Sequence, residues 1–128
     1  MSLYLINGTV FKTNIKQLSE VLENVLDSKI DPNKDEIYIS KDIFDFHVYF
    51  YIGLNSYSTQ GSTYLFNSSF TGEFQEVREF VKNIALSLYK TRILYEIEFL
   101  EDSPENNIPY LIKHPEYISQ TTGIIINF

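Results

Sequence analysis

Apolar and polar side chains alternate without interruption from Phe44 to Ile52. Phe44, Phe46, Val48, Phe50 and Ile52 fall on one side of an extended backbone, and Asp45, His47, Tyr49 and Tyr51 fall on the other. Period 2 held over that length predicts a central strand within residues 42–54, buried on one face. Removing five such side chains from water contributes on the order of 10 kcal/mol, at roughly 1.5–3 kcal/mol each, before ordering entropy of similar size is subtracted.

Shorter stretches extend the pattern. Residues 3–11 read as one first strand with a bulge at Asn7-Gly8, because a hairpin there would have two marginal arms. Residues 36–40, with Ile37 and Ile39 on one side, and residues 62–67 flank the main strand and complete an antiparallel meander. Two segments change to helical spacing. Asn14 reads as an N-cap with Gln17 at the capping-box position, and Ile15, Leu18, Val21, Leu22, Val25 and Leu26 form the apolar stripe of a helix over 15–28. A second helix begins at Thr71 or a neighbouring Ser. It carries Glu73 and Glu76 in its first turn, Lys82 and Lys90 towards its end, and Phe74, Val77, Val81, Ile84, Ala85 and Leu88 on its buried face. Residues 92–101 suit a helix by composition. The alternation of Ile93, Tyr95, Ile97 and Phe99 against Leu94, Glu96, Glu98 and Leu100 favours a strand. A polar loop over 102–109, a short edge strand at 110–113 and a last strand within 123–128 follow. No repeat or linker divides the chain, so residues 1–128 read as a single α+β domain. Its expected architecture is two layers: a mostly antiparallel sheet of about five to six strands with two helices packed on one face.

Charge and composition narrow the partners. Seventeen acidic against ten basic residues give a formal charge of -7, which disfavours a nucleic-acid backbone and favours a basic protein partner. The ten Tyr and ten Phe exceed what a small core takes up, so several Tyr are expected at the surface. Cysteine is absent, which removes thiol nucleophiles, thiolate metal sites and disulfides. No leader pattern or run of about 20 apolar residues appears, and a cytoplasmic chain without a membrane partner is the expectation. Asn7-Gly8-Thr9 and Asn67-Ser68-Ser69 fit the glycosylation pattern but read better as turns. The preponderance of Lys over Arg, with abundant Asn, Ile and Tyr, suits an AT-rich bacterial genome.

Candidate chemistry gathers on the polar side of the main strand. If both helices cover the apolar face, Asp45, His47, Tyr49 and Tyr51 stand on the open face together with Glu96 and Glu98, forming an acidic, tyrosine-studded binding platform. Asp45 and His47 have the residue types for proton transfer, and with Glu96 and Glu98 for a divalent ion. Asp-x-His and Glu-x-Glu arise wherever polar positions alternate, however, and no catalytic residue, metal or cofactor is assigned. His114, before Pro115 and Glu116, reads as a surface histidine. Three functions remain in competition. The first is a small non-enzymatic protein of immunity or antitoxin type that neutralises a basic partner. The others are an enzyme or small-ligand binder with a pocket near His47, and a structural subunit that pairs into a homo-oligomer.

Overall fold

The computed structural model describes residues 2–31, 36–50, 62–105, 108–116 and 123–127, without the side chains of residues 50 and 62. Tyr51, Ile52, the 55–61 loop and the core position expected for Phe50 therefore lie outside the described residues. The elements run β1 (Ser2–Thr13), α1 (Ile15–Leu26), β2 (Ile37–Ser40), β3 (Phe44–Phe50), β4 (Ser62–Gly72), α2 (Phe74–Lys90), β5 (Leu94–Glu101), β6 (Tyr110–Lys113) and β7 (Ile124–Ile125). The fold is α+β, as the alternation and the two helical stripes predict. The sheet has seven strands in the order β2-β3-β4-β1-β5-β6-β7, antiparallel except for the β6–β7 pair. It is wider than expected because β7 pairs beyond β6, so β6 is not an edge. The middle strand is β1, and β3 stands second from one edge. Alternation reports burial on one face; it does not distinguish the fourth position in a sheet from the second.

Both helices pack on the same face. Leu18, Val21, Leu22 and Leu26 of α1 and Val77, Val81, Ile84 and Leu88 of α2 join one cluster with Ile6, Val10, Phe46, Val48, Phe66, Tyr95, Ile97 and Phe99 of the sheet. Phe46 and Phe66 stack at 5.0 Å between ring centroids near its centre. Helix α1 starts as its cap residue dictates, with the Asn14 side chain accepting from the Gln17 N–H at 2.8 Å. The Gln17 side chain accepts from the Thr13 hydroxyl instead of returning to the cap backbone. The helix stops at Leu26, the last residue of its stripe and two residues short of the expected 15–28. Asp27 turns into the left-handed region at φ 50°, and the Lys41 ammonium donates to the carbonyls of Leu26 and Asp27 at 2.9 and 2.7 Å.

Helix α2 is capped at Glu73, whose N–H donates to the Glu76 carboxylate at 2.9 Å. Thr71 belongs to β4, which runs to Gly72 because it pairs along its length with β1. Residues 94–101 are a strand, with the buried positions at Tyr95, Ile97 and Phe99. Asn7-Gly8-Thr9 and Asn67-Ser68-Ser69 are neither turns nor a bulge. They lie within β1 and β4, with Asn7 opposite Asn67. Gly8 is required there because the ring of its partner Phe66 occupies the space a Cβ would need. The irregularity in β1 comes later, between Val10 and Thr13, where Lys12 adopts φ 54°.

Candidate functional site

With both helices on one side, the other face of the sheet is presented by the alternate residues of each strand. The register sets Tyr38, His47, Asn67, Asn7 and Glu98 in one row across β2, β3, β4, β1 and β5. The next row runs through Tyr49, Leu65, Thr9 and Glu96, and on the other side Asp45, Ser69, Leu5 and Leu100 align. All five described members of the expected platform, Asp45, His47, Tyr49, Glu96 and Glu98, thus share the face; Tyr51 lies outside the described residues. They do not form one cluster. Strands β4 and β1 intervene, which places His47 about 14 Å from Glu98 at roughly 4.8 Å per strand.

Towards the β2 edge, the His47 Nε2 lies 3.2 Å from the Glu36 carboxylate. The imidazole sits between the rings of Tyr38 and Tyr49, at 6.0 and 5.2 Å. Asp45 is engaged elsewhere, its carboxylate accepting from the Ser69 N–H at 2.8 Å while its carbonyl accepts from the Ser68 hydroxyl. The proton-transfer pair suggested by Asp-x-His therefore does not form; Glu36, from the strand's neighbour, takes the place assigned to Asp45. The Tyr49 hydroxyl accepts from the Asn67 amide at 3.2 Å, which ties the aromatic group to the middle of the sheet.

Two depressions follow from this layout. One, of about 340 Å³, holds Tyr38, Asp45 and His47 along one side and Leu5 along the other. The second, of about 360 Å³, places Tyr49 across from Glu96 and Glu98, over a floor that includes Thr9 and Leu65. Asn7 and Asn67 line both, so the depressions adjoin as a trough across the strands. Neither is lined by Lys or Arg among the described residues. Exposed Leu3, Leu5 and Tyr38 add apolar surface to the same face. At the β6 end, Leu111 shares the row of Glu98 yet is buried, with Gly123 passing against it. Among the described residues, no three His, Asp or Glu side chains converge as metal ligands.

The chain matches no family model, no curated protein and no solved structure. No helix among the described residues is long and apolar enough to cross a membrane.

Sequence reasoning missed three residues that shape this face. Glu36, Asn7 and Asn67 sit in segments that read as a strand end and two turns. For Glu36 the period of 37–40 carried a signal, since extending it by one residue puts Glu36 on the open side with Tyr38 and Ser40, opposite the buried Ile37 and Ile39. His114 was misread outright. It is 6% exposed, its ring packs against Tyr89 and Tyr95, its backbone N–H donates to the Tyr95 carbonyl, and its Nδ1 accepts from the Glu116 N–H. A His-Pro-Glu sequence has no period, so nothing local announces that burial.

Proposed function

We propose that this chain is a non-enzymatic binding protein that captures a basic protein surface in the acidic trough of its open sheet face, in the manner of bacterial immunity and antitoxin proteins. The observation that carries this reading is the trough itself. Two adjoining depressions have carboxylates at both ends, Asp45 on one side and Glu96 with Glu98 on the other, and no Lys or Arg among the described residues that line them. A surface of one sign steers an oppositely charged partner during encounter. Tyr38 and Tyr49 supply the large, rigid contact area that anchors interfaces, and Leu3 and Leu5 the apolar part. The spread of about 14 Å between His47 and Glu98 suits contact with a surface more than convergence on one reacting atom.

Co-expression with the product of the adjoining gene tests this reading. The expected result is a complex whose association slows as salt is raised and slows about tenfold or more on Glu96→Lys with Glu98→Lys, since steering governs the on-rate. An association rate indifferent to both salt and charge reversal would overturn acidic steering.

A further inference from the structure

Beyond the acidic trough, a second site of opposite character lies off one end of the sheet, where the turn after α2 meets the end of β1 and the residues following β6. This cavity has a volume of about 550 Å³. Lys12, Lys90 and Arg92 line it against one carboxylate, Glu116, which leaves a local excess of two positive charges in a chain whose net charge is -7. None of the three cations has an ion pair or side-chain hydrogen bond among the described residues.

The bland role for Lys90 and Arg92 is to cap the C-terminus of α2, and the hydrogen bonds assign that role elsewhere. The Ser87 carbonyl accepts from the Thr91 N–H and hydroxyl, the Leu88 carbonyl from the Thr91 hydroxyl and the Ile93 N–H, and the Tyr89 carbonyl from the Arg92 N–H. Lys41 at the end of α1 illustrates what a capping lysine does in this protein, because its ammonium contacts the carbonyls directly. Three non-glycine residues among those described have positive φ, and two of them, Lys12 at 54° and Arg92 at 61°, line this cavity. Lys12 belongs to the irregularity in β1 and Arg92 to the left-handed turn that ends α2, so the ends of these two elements bring both residues to the cavity.

The rest of the lining is suited to a ligand with an organic part. His114 is nine-tenths buried, and its Nδ1 accepts from the Glu116 N–H at 3.1 Å, so the neutral ring carries its proton on Nε2 as a donor. Tyr89, half exposed, and Phe11 offer rings. Beside His114, and outside the lining, the Tyr95 hydroxyl is fully buried without a hydrogen-bond partner among the described residues, its ring edge-on to the imidazole at 5.6 Å.

We propose that this cavity binds a small phosphate monoester with a planar organic group, the phosphate held by Lys12, Lys90 and Arg92 and the planar group lying against Tyr89 and Phe11. Charge selects the phosphate. A monoester carries about -1.5 to -2 at neutral pH and matches the local excess, whereas a single carboxylate leaves half of it unmatched. The volume lies within the roughly 300–1,000 Å³ typical of small-molecule sites.

Calorimetric titration of the full chain with adenosine 5′-monophosphate, adenosine and inorganic phosphate tests the proposal. The expected order of affinity is the monophosphate, then inorganic phosphate, then adenosine. Lys12→Gln and Lys90→Gln are each expected to weaken monophosphate binding about tenfold, and Lys16→Gln, on the exposed side of α1, to leave it unchanged. Thermal melts confirm that each variant folds. Absence of binding by both phosphate compounds at millimolar concentration would overturn the site. Equal affinity for adenosine and its monophosphate, or binding indifferent to Lys12 and Lys90, would overturn the assignment of the phosphate. Equal affinity for the monophosphate and inorganic phosphate would overturn the planar group.

Discussion

Gly8 shows at the residue scale how the core face limits the chain. Its partner across the sheet, Phe66, lays its ring over the glycine and stacks on Phe46. Gly8→Ala forces that ring away and is expected to cost about 1–3 kcal/mol, read from the shift of the urea unfolding midpoint. Tyr95 is a second residue with a measurable consequence. Burial, and to a lesser degree the nearby Tyr89, push its phenol up from the ordinary 10.0 to about 12. The folded chain therefore keeps that proton at pH values where the unfolded chain has released it. Stability is fully present below pH 10 and falls as pH rises towards 12. Tyr4, raised by burial and then by Glu101 and Glu73, acts in the same direction. Denaturant melts across that range should show the decline, and Tyr95→Phe should make it shallower while costing little at neutral pH, since the lost hydroxyl has no partner among the described residues. An unchanged slope in Tyr95→Phe would contradict the assignment. Sequence reading found the burial of Tyr95 from its place in an alternating run. It did not find the unpartnered hydroxyl or the buried His114 beside it, because both depend on the end of β6 meeting the end of α2.

Helix ends are where local sequence and long-range structure divide the work at the element scale. The start of α1 is local: Asn14 accepts from the Gln17 N–H, and Asn14→Ala is expected to cost about 1 kcal/mol. Its end is not local, since the capping ammonium comes from Lys41, between β2 and β3. Lys41→Ala should cost about 0.5–1 kcal/mol and fray the last turn, detectable as faster amide exchange there with the first turn unchanged. The same division explains which elements were legible. The period of residues 94–101 and the stripes of both helices report burial and were readable. Gly, Asn and Ser inside β1 and β4 were misleading, because turn chemistry and a glycine that makes room for an aromatic ring look alike in one dimension. Strand β4 ran past its expected end for a related reason: the partner that holds Ser68–Gly72 in the sheet is the distant segment Ser2–Ile6.

Sheet order decides where the candidate residues stand at the scale of the whole molecule, and it is the part the sequence conceals. Period 2 assigns Asp45, His47, Tyr49, Glu96 and Glu98 to one face. Only the order β2-β3-β4-β1-β5 reveals that they stand at opposite ends of a trough with Asn7 and Asn67 between them. The surface also changes sign quickly. Thr9 and Glu96 line the acidic trough, and two residues along each strand Phe11 and Leu94 line the basic cavity. Carboxylates also stand on the helices, with Glu20, Glu76 and Glu79 exposed, so net charge alone does not locate a basic partner. Amide NMR mapping during titration with a ten-residue arginine peptide at physiological ionic strength discriminates between the faces. The account predicts shift changes concentrated at Asn7, Thr9, His47, Asn67, Glu96 and Glu98, and their loss in the Glu96→Lys, Glu98→Lys double variant. Changes that instead follow Glu20, Glu76 and Glu79, or that survive the double variant, would contradict it.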